Sequence, residues 1–236
     1  MMRAGFSHRM LVHLTFFDLD QTLLASDSDY EWNRFLVDEG VVDSAAYTDA
    51  NDRFAAQYAA GELDIHAYQR FALAPLVAHG HEAMAALRER FVAERIGPSI
   101  ARHAPRVLAF HRDRGDAIAI ITATNAFVTE PIAAYLGISH LIATEPRIVD
   151  GRYTGEIAGT PSFQDGKIER ALAFKAEYYP EAGPTTFYSD SHNDLPLLRW
   201  ADRPVAVDPD PTLEAAASAA GWPIVSFRGE TPPPLS

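Results

Sequence analysis

Apolar residues fall along this chain in two kinds of run. Short, nearly continuous stretches recur at LVHLTFF (11–17), AIAIIT (117–122), LIAT (141–144), TFYS (186–189), PVAV (204–207) and PIVSF (223–227). Runs of this length without strict alternation predict strands covered on both faces. Between them lie stretches of helical pattern, at about residues 100–113, 125–136, 166–178 and 193–200. Gly115 and Gly137 stand where helix C-caps belong. The alternation predicts an α/β fold built on a doubly wound, mostly parallel sheet.

The first two strands are separated by an unusual length of chain. Between Ser26 and Pro105 lie roughly 80 residues, against a median connection of about 4–6. The interval is helical in pattern at DYEWNRFLVDEG, DANDRFAAQYAAG, DIHAYQRFALAPLVAHG and HEAMAALRERFVAERIG. It predicts a four-helix domain over residues 27–99, packed as a small bundle on a core made of 1–26 and 100–236. Tyr30, Trp32, Phe35 and Phe71 recur at helical spacings and are expected in the interior of that insertion. The stretch IVDGRYTGEIAG (148–159) predicts a hairpin turning at Asp150-Gly151. The final GETPPPLS reads as a frayed tail.

Composition narrows the partners. The chain carries 32 acidic and 20 basic residues, a net charge of −12. No basic stripe is present to meet phosphates, so a nucleic-acid partner is not expected. There are no cysteines, which removes disulfides, thiolate metal sites and thiol nucleophiles together. No run approaches the ~20 apolar residues of a membrane span. His13 interrupts the apolar part of MMRAGFSHRMLVHLTFF, which reads as a first strand and not as an export signal. A cytoplasmic protein without a membrane partner is expected.

In open α/β sheets, ligands bind beyond the carboxyl ends of the strands. The residues there are the informative ones. The first strand is followed by Asp18, Asp20 and Thr22, and the second ends in Thr122, Ala123, Thr124 and Asn125. Small hydroxyl residues and free N–H groups opening a helix suit an anion. After TFYS come Asp190, Ser191, His192, Asn193 and Asp194. Lys167 falls in the first turn of a predicted helix, where the macrodipole disfavours a cation and a bound anion would compensate it. Clustered carboxylates with one lysine and no soft ligands suit a hard cation, Mg²⁺ above all. A carboxylate can attack phosphorus, and another two residues along projects to the same face to move the proton. His192, flanked by acids better suited to a hard cation, reads as a loop residue.

These residues carry a resemblance. FDLDQTL resembles the DxDx[T/S] motif of the haloacid-dehalogenase-like hydrolase superfamily, Thr122 in IITAT its second motif, Lys167 its third and SDSHNDLPLL its acidic fourth. The order is right and the match spans the chain, closest to class IB, the phosphoserine-phosphatase-like hydrolases. The resemblance implies a Rossmann-like core with a helical type 1 cap after the first strand. It implies Asp18 as nucleophile and Mg²⁺ ligand, and Asp20 as general acid and base with its carbonyl on the metal. Thr22 would support the loop. Thr122, the Ala123 N–H and Lys167 would bind the phosphoryl group. Asp190 would ligate Mg²⁺, Asn193 would lie near the phosphoryl group, and Asp194 would act from behind the metal. Gln21 and Ser189 depart from the family, where glycine is frequent. Dehalogenases of the superfamily lack the second aspartate, so Asp20 favours phosphate esters.

The expected activity is hydrolysis of a small phosphorylated metabolite. A phosphotransferase to an alcohol acceptor and a non-catalytic binding protein are the rivals. Asp27, Asp29, Arg34 and Arg70 are candidates to face the substrate, and the two acids there would suit a cationic or amino-bearing leaving group.

Overall fold

A computed structural model describes residues 11–235. The reading of MMRAGFSHRM therefore lies outside the described residues. Among those described, seven strands form one sheet: β1 (Leu14–Phe17), β2 (Ala117–Asn125), β3 (His140–Val149), β4 (Arg152–Ala158), β5 (Thr185–Ser189), β6 (Arg203–Val207) and β7 (Ile224–Val225). Their spatial order is β4-β3-β2-β1-β5-β6-β7, parallel throughout except for the β3–β4 pair. Phe17 pairs with Ile120 of β2 on one side and Tyr188 of β5 on the other. The chain moves outward from β1 in one direction and later returns to continue in the other. That reversal opens a crevice at the carboxyl ends of β1 and β5.

The helices are α1 (Ser28–Asp38), α2 (Ser44–Ala59), α3 (Ile65–Phe91), α4 (Gly97–Ser99), α5 (Ala104–Asp113), α6 (Ala126–Tyr135), α7 (Asp165–Tyr178), α8 (Leu195–Trp200) and α9 (Pro211–Ala220). Both sheet faces are covered, as the continuous apolar runs require. Phe16, Phe187, Leu197 and Leu213 fill one side, while Phe17, Ile120 and Phe127 fill the other.

The chain between β1 and β2 is pinned together at its two ends. Leu24 and Ile100 form an antiparallel bridge, Ala25 N donates to Ser99 O at 2.6 Å, and Ala101 N donates to Leu23 O at 2.9 Å. Asp27, Asp43 and Asp64 cap α1, α2 and α3 by accepting backbone N–H bonds, which fixes where each helix starts. The third and fourth helical stretches are two limbs of α3, broken at Gly80 with φ +78. Trp32, Phe35, Leu73 and Phe91 join the same apolar cluster as Phe17 and Phe127, so these helices share their interior with the sheet.

Several expectations are corrected. Tyr30 is only half-buried and donates its hydroxyl to Asp52 at 2.7 Å, so it is not interior; Phe71 is also half-buried. The hairpin turns at Asp150 and Gly151, both at positive φ, but its first arm is the continuation of β3. The tail is docked, not frayed. His103 Nε2 donates to Gly229 O at 2.9 Å, Pro233 is buried, and Leu235 packs against the main apolar cluster. Helix α9 went unread because its alanine-rich stretch carries little apolar periodicity. No helix among the described residues is long and apolar enough to cross a membrane.

Candidate active site

Asp18 follows β1 directly and is still tied to the sheet, its N–H donating to Tyr188 O at 2.9 Å. The chain then turns tightly through Leu19–Leu23, with Gln21 at φ +56. That left-handed conformation favours glycine, which accounts for the residue usual there. Arg228 holds the turn by donating to Gln21 O at 2.8 Å. The turn swings Asp20 toward β2, where Thr124 Oγ1 donates to its Oδ2 at 2.8 Å and Thr122 Oγ1 lies 3.5 Å away. Its other oxygen accepts Ser28 N, at the start of α1, at 2.6 Å. Thr22 Oγ1 donates to Asp190 Oδ1 at 3.1 Å, coupling the β1 turn to the end of β5.

Lys167, in the first turn of α7, is 1% exposed. Its ammonium lies 2.8 Å from Asp18 Oδ1 and 2.7 Å from Asp194 Oδ1. Ser189 Oγ donates to Asp194 Oδ2 at 2.7 Å, a bond that glycine at this position would lack. Burial alone would lower the lysine pKa, but the two carboxylates override it and hold the ammonium above its ordinary range. Burial first, against the pull of Lys167, and then Asp194 and Asp20 together push Asp18 up to about 7. Burial, then Asp18 and Asp194, push Asp190 well above the usual carboxylate range. The carboxylates of Asp18, Asp20, Asp190 and Asp194 thus share the charge of Lys167, and the cluster is short of positive charge.

That arrangement can be compared with known proteins. A family profile for haloacid dehalogenase-like hydrolases matches residues 15–199. The chain belongs to this family. A histidinol-phosphatase of Neisseria meningitidis serogroup C (strain 8013) is 42% identical over 220 residues, covering 92% of this chain and 99% of that one. A protein of unknown function from Bordetella pertussis Tohama I superposes with a TM-score of 0.86 at 43% identity, covering 92% of this chain and 99% of that one. A phosphoserine phosphatase solved as a phospho-aspartyl intermediate analogue shares the fold, with a TM-score of 0.65 at 18% identity over 92% of this chain and 94% of that one. The chain is an enzyme of the phosphatase kind within these hydrolases.

The pocket of this haloacid dehalogenase-like hydrolase brings together Asp18, Asp20, Asp27, Asp29, Thr122, Ala123 and Asp190. Lys167 and Asp194 lie behind Asp18. Asn193 is engaged elsewhere: its Nδ2 donates to Tyr58 O at 3.0 Å and its Oδ1 accepts Gln164 Nε2 at 3.1 Å. Arg34 and Arg70 are not in the pocket. Each is half exposed, beside Glu31 at 3.9 Å and Glu156 at 3.8 Å, because their helical phase turns them outward. His192 is a loop residue held by Asp210, its Nδ1 2.9 Å from Oδ2.

Several pocket residues escaped the sequence reading, Thr124 and Tyr58 among them. Thr124 was noted only as part of the strand end, although its alternation with Thr122 places both hydroxyls on one side. Tyr58, at the end of α2, lines the pocket and donates its hydroxyl to Ser191 Oγ at 3.3 Å. No local pattern marks it, since only the docking of α2 on the β5 turn brings it there.

Proposed function

We propose that the protein is a Mg²⁺-dependent phosphomonoesterase that works through a covalent phosphate on Asp18, with residues 27–99 acting as a cap over a core of 1–26 and 100–236. The observation that carries this reading is the Lys167 ammonium held between Asp18 and Asp194, buried behind the Asp18 carboxylate at the carboxyl end of β1. An oxygen of Asp18 attacks phosphorus, and the bond to the leaving alkoxide oxygen breaks. Asp20, whose carboxyl is pushed up by burial, gives its proton to that oxygen. Asp20 then takes a proton from the water that attacks the Asp18 acyl phosphate, releasing inorganic phosphate and restoring Asp18. Lys167 offsets charge on the phosphoryl oxygens, and Thr122 and the Ala123 N–H receive them.

The residues fit Mg²⁺. The donor set is hard oxygen, and burial, then Asp18 and Asp194, push Asp190 well above the usual carboxylate range, as happens to oxygens short of a counter-charge. Among the described residues no group of three acidic or histidine side chains forms a metal cage. That accords with an ion held by one or two carboxylates, a carbonyl, waters and substrate phosphate. Asp18, Asp190 and the Asp20 carbonyl would hold it. When bound, it supplies Lewis acidity and removes repulsion between carboxylate and phosphate.

The test is hydrolysis of a generic aryl phosphate by the purified chain with Mg²⁺, with chelator, and by Asp18→Asn. Turnover that needs the metal and vanishes in the variant is expected. Robust turnover by Asp18→Asn, or indifference to chelator, overturns the reading.

A further inference from the structure

Helix α3 buries one amide among apolar side chains. Gln69 is 1% exposed and lies on the stripe Gln69, Ala72, Leu73 and Leu76, all of it buried and otherwise apolar. An apolar residue here would complete the stripe at no polar cost. The amide instead donates from Nε2 to Ala123 O at 3.2 Å. A carbonyl only accepts, so the nitrogen must face it, and Oε1 is left buried without a hydrogen-bond partner. One bond made against one buried oxygen unsatisfied brings the fold little or nothing. The use of the glutamine lies at the other end of its bond.

Ala123 falls where β2 is irregular. The pairing of β2 with β3 runs to Ile121 and resumes at Asn125, with a shift of register between them. Ala123 is half-buried and lines the pocket in front of Asp18, so solvent could have served its carbonyl. The peptide between Ala123 and Thr124 is held at both ends instead. Its oxygen accepts from Gln69, and its N–H, on Thr124, donates to Thr122 Oγ1 at 3.2 Å. A peptide released at the oxygen end could swing its carbonyl into the pocket, where a partial negative charge would face the phosphoryl oxygens.

We infer that Gln69 is a positioning residue: from α3 it fixes the peptide after Ala123, so that the Ala123 N–H and not a carbonyl meets the phosphoryl group. This rests on the phosphatase reading above. The bond does not touch the leaving alcohol, so its effect is the same for every ester and extends to inorganic phosphate.

The experiment compares the full chain with Gln69→Met, which keeps the length and the burial but lacks the donor. With Mg²⁺ present, kcat/KM is measured for phenyl phosphate and ethyl phosphate, together with the inhibition constant of inorganic phosphate and the Tm. The variant is expected to lose about tenfold or more in kcat/KM on both esters alike, and to bind inorganic phosphate about tenfold more weakly. Its Tm is expected to stay within about 2 °C of the wild type, since removing the unsatisfied oxygen offsets the lost bond. An unchanged inhibition constant, or losses that differ between the two esters, would make Gln69 a residue of the pocket's shape and overturn the inference. Gln69→Leu repeats the comparison if Gln69→Met gives no cooperative melt; loss of folding in both would show that the residue holds the fold, and overturns the inference too. If the wild-type chain hydrolyses neither ester with Mg²⁺, the phosphatase reading fails and this inference fails with it. Wild-type turnover beside an inhibition constant that ignores the substitution defeats the inference alone.

Discussion

The Lys167 ammonium lies 2.8 Å from Asp18 Oδ1, although 149 residues separate the two in the chain. The same ammonium reaches Asp194, and both carboxylates are almost wholly buried. Removing the lysine would leave two buried charges without compensation. Lys167→Met is therefore expected to cost about 3 kcal/mol of stability. Its turnover should fall by about 10² or more, since charge on the phosphoryl group goes unopposed. Denaturant titration and steady-state rates on an aryl phosphate check both; full stability in the variant would contradict the bridge.

Stability without metal should fall as pH rises toward neutrality. Asp27 is pushed up from 3.8 to about 7, first by burial and then by Asp20, and Asp18 is raised to about 7 as well. Between those values the folded chain binds more protons than the unfolded one, so the slope of stability against pH is negative there. Mg²⁺ favours the ionised carboxylates and should therefore raise the Tm of the protein more at pH 7 than at pH 5. Melting curves at both values, with and without Mg²⁺, check the sign.

The docked tail makes a separate prediction. Pro233 is buried and Leu235 packs on the core, so a chain ending at Gly229 loses apolar cover over β6 and β7. A loss of about 1–2 kcal/mol is expected from the apolar area exposed. Denaturation of the shortened chain beside the full one measures it; no change would mean that the tail contributes nothing.

The hydroxyl of Ser189 stands where the family often has glycine, and it donates to Asp194 at 2.7 Å. Ser189→Gly should cost about 1 kcal/mol through that lost bond. Turnover should fall less than in Lys167→Met, because Asp194 keeps its lysine. Parallel melts and rates of the two variants test the ranking.

The strand-end residues were legible in the sequence because local rules place them. A continuous apolar run fixes β1, and whatever follows it, here Asp18 and Asp20, must stand at the sheet's carboxyl edge. The same reasoning located Thr122 and Asp190. It gave the alternation of strands and helices. Residues whose position depends on packing between distant segments were not legible. Tyr58 enters the pocket only because α2 docks on the β5 turn, and Arg34 and Arg70 turn away because of helical phase. The prolines of the tail looked like a loop signal, yet Pro233 is buried and Leu235 packs against the main apolar cluster.

The central claim is a phosphoryl group carried on Asp18. The most direct measurement is an acid quench of the enzyme during turnover of a ³²P-labelled ester with Mg²⁺, followed by peptide mapping. The account predicts a hydroxylamine-labile label on the peptide containing Asp18, absent from Asp18→Asn. A label on another residue, or rapid turnover with no covalent label on fast quenching, would contradict it.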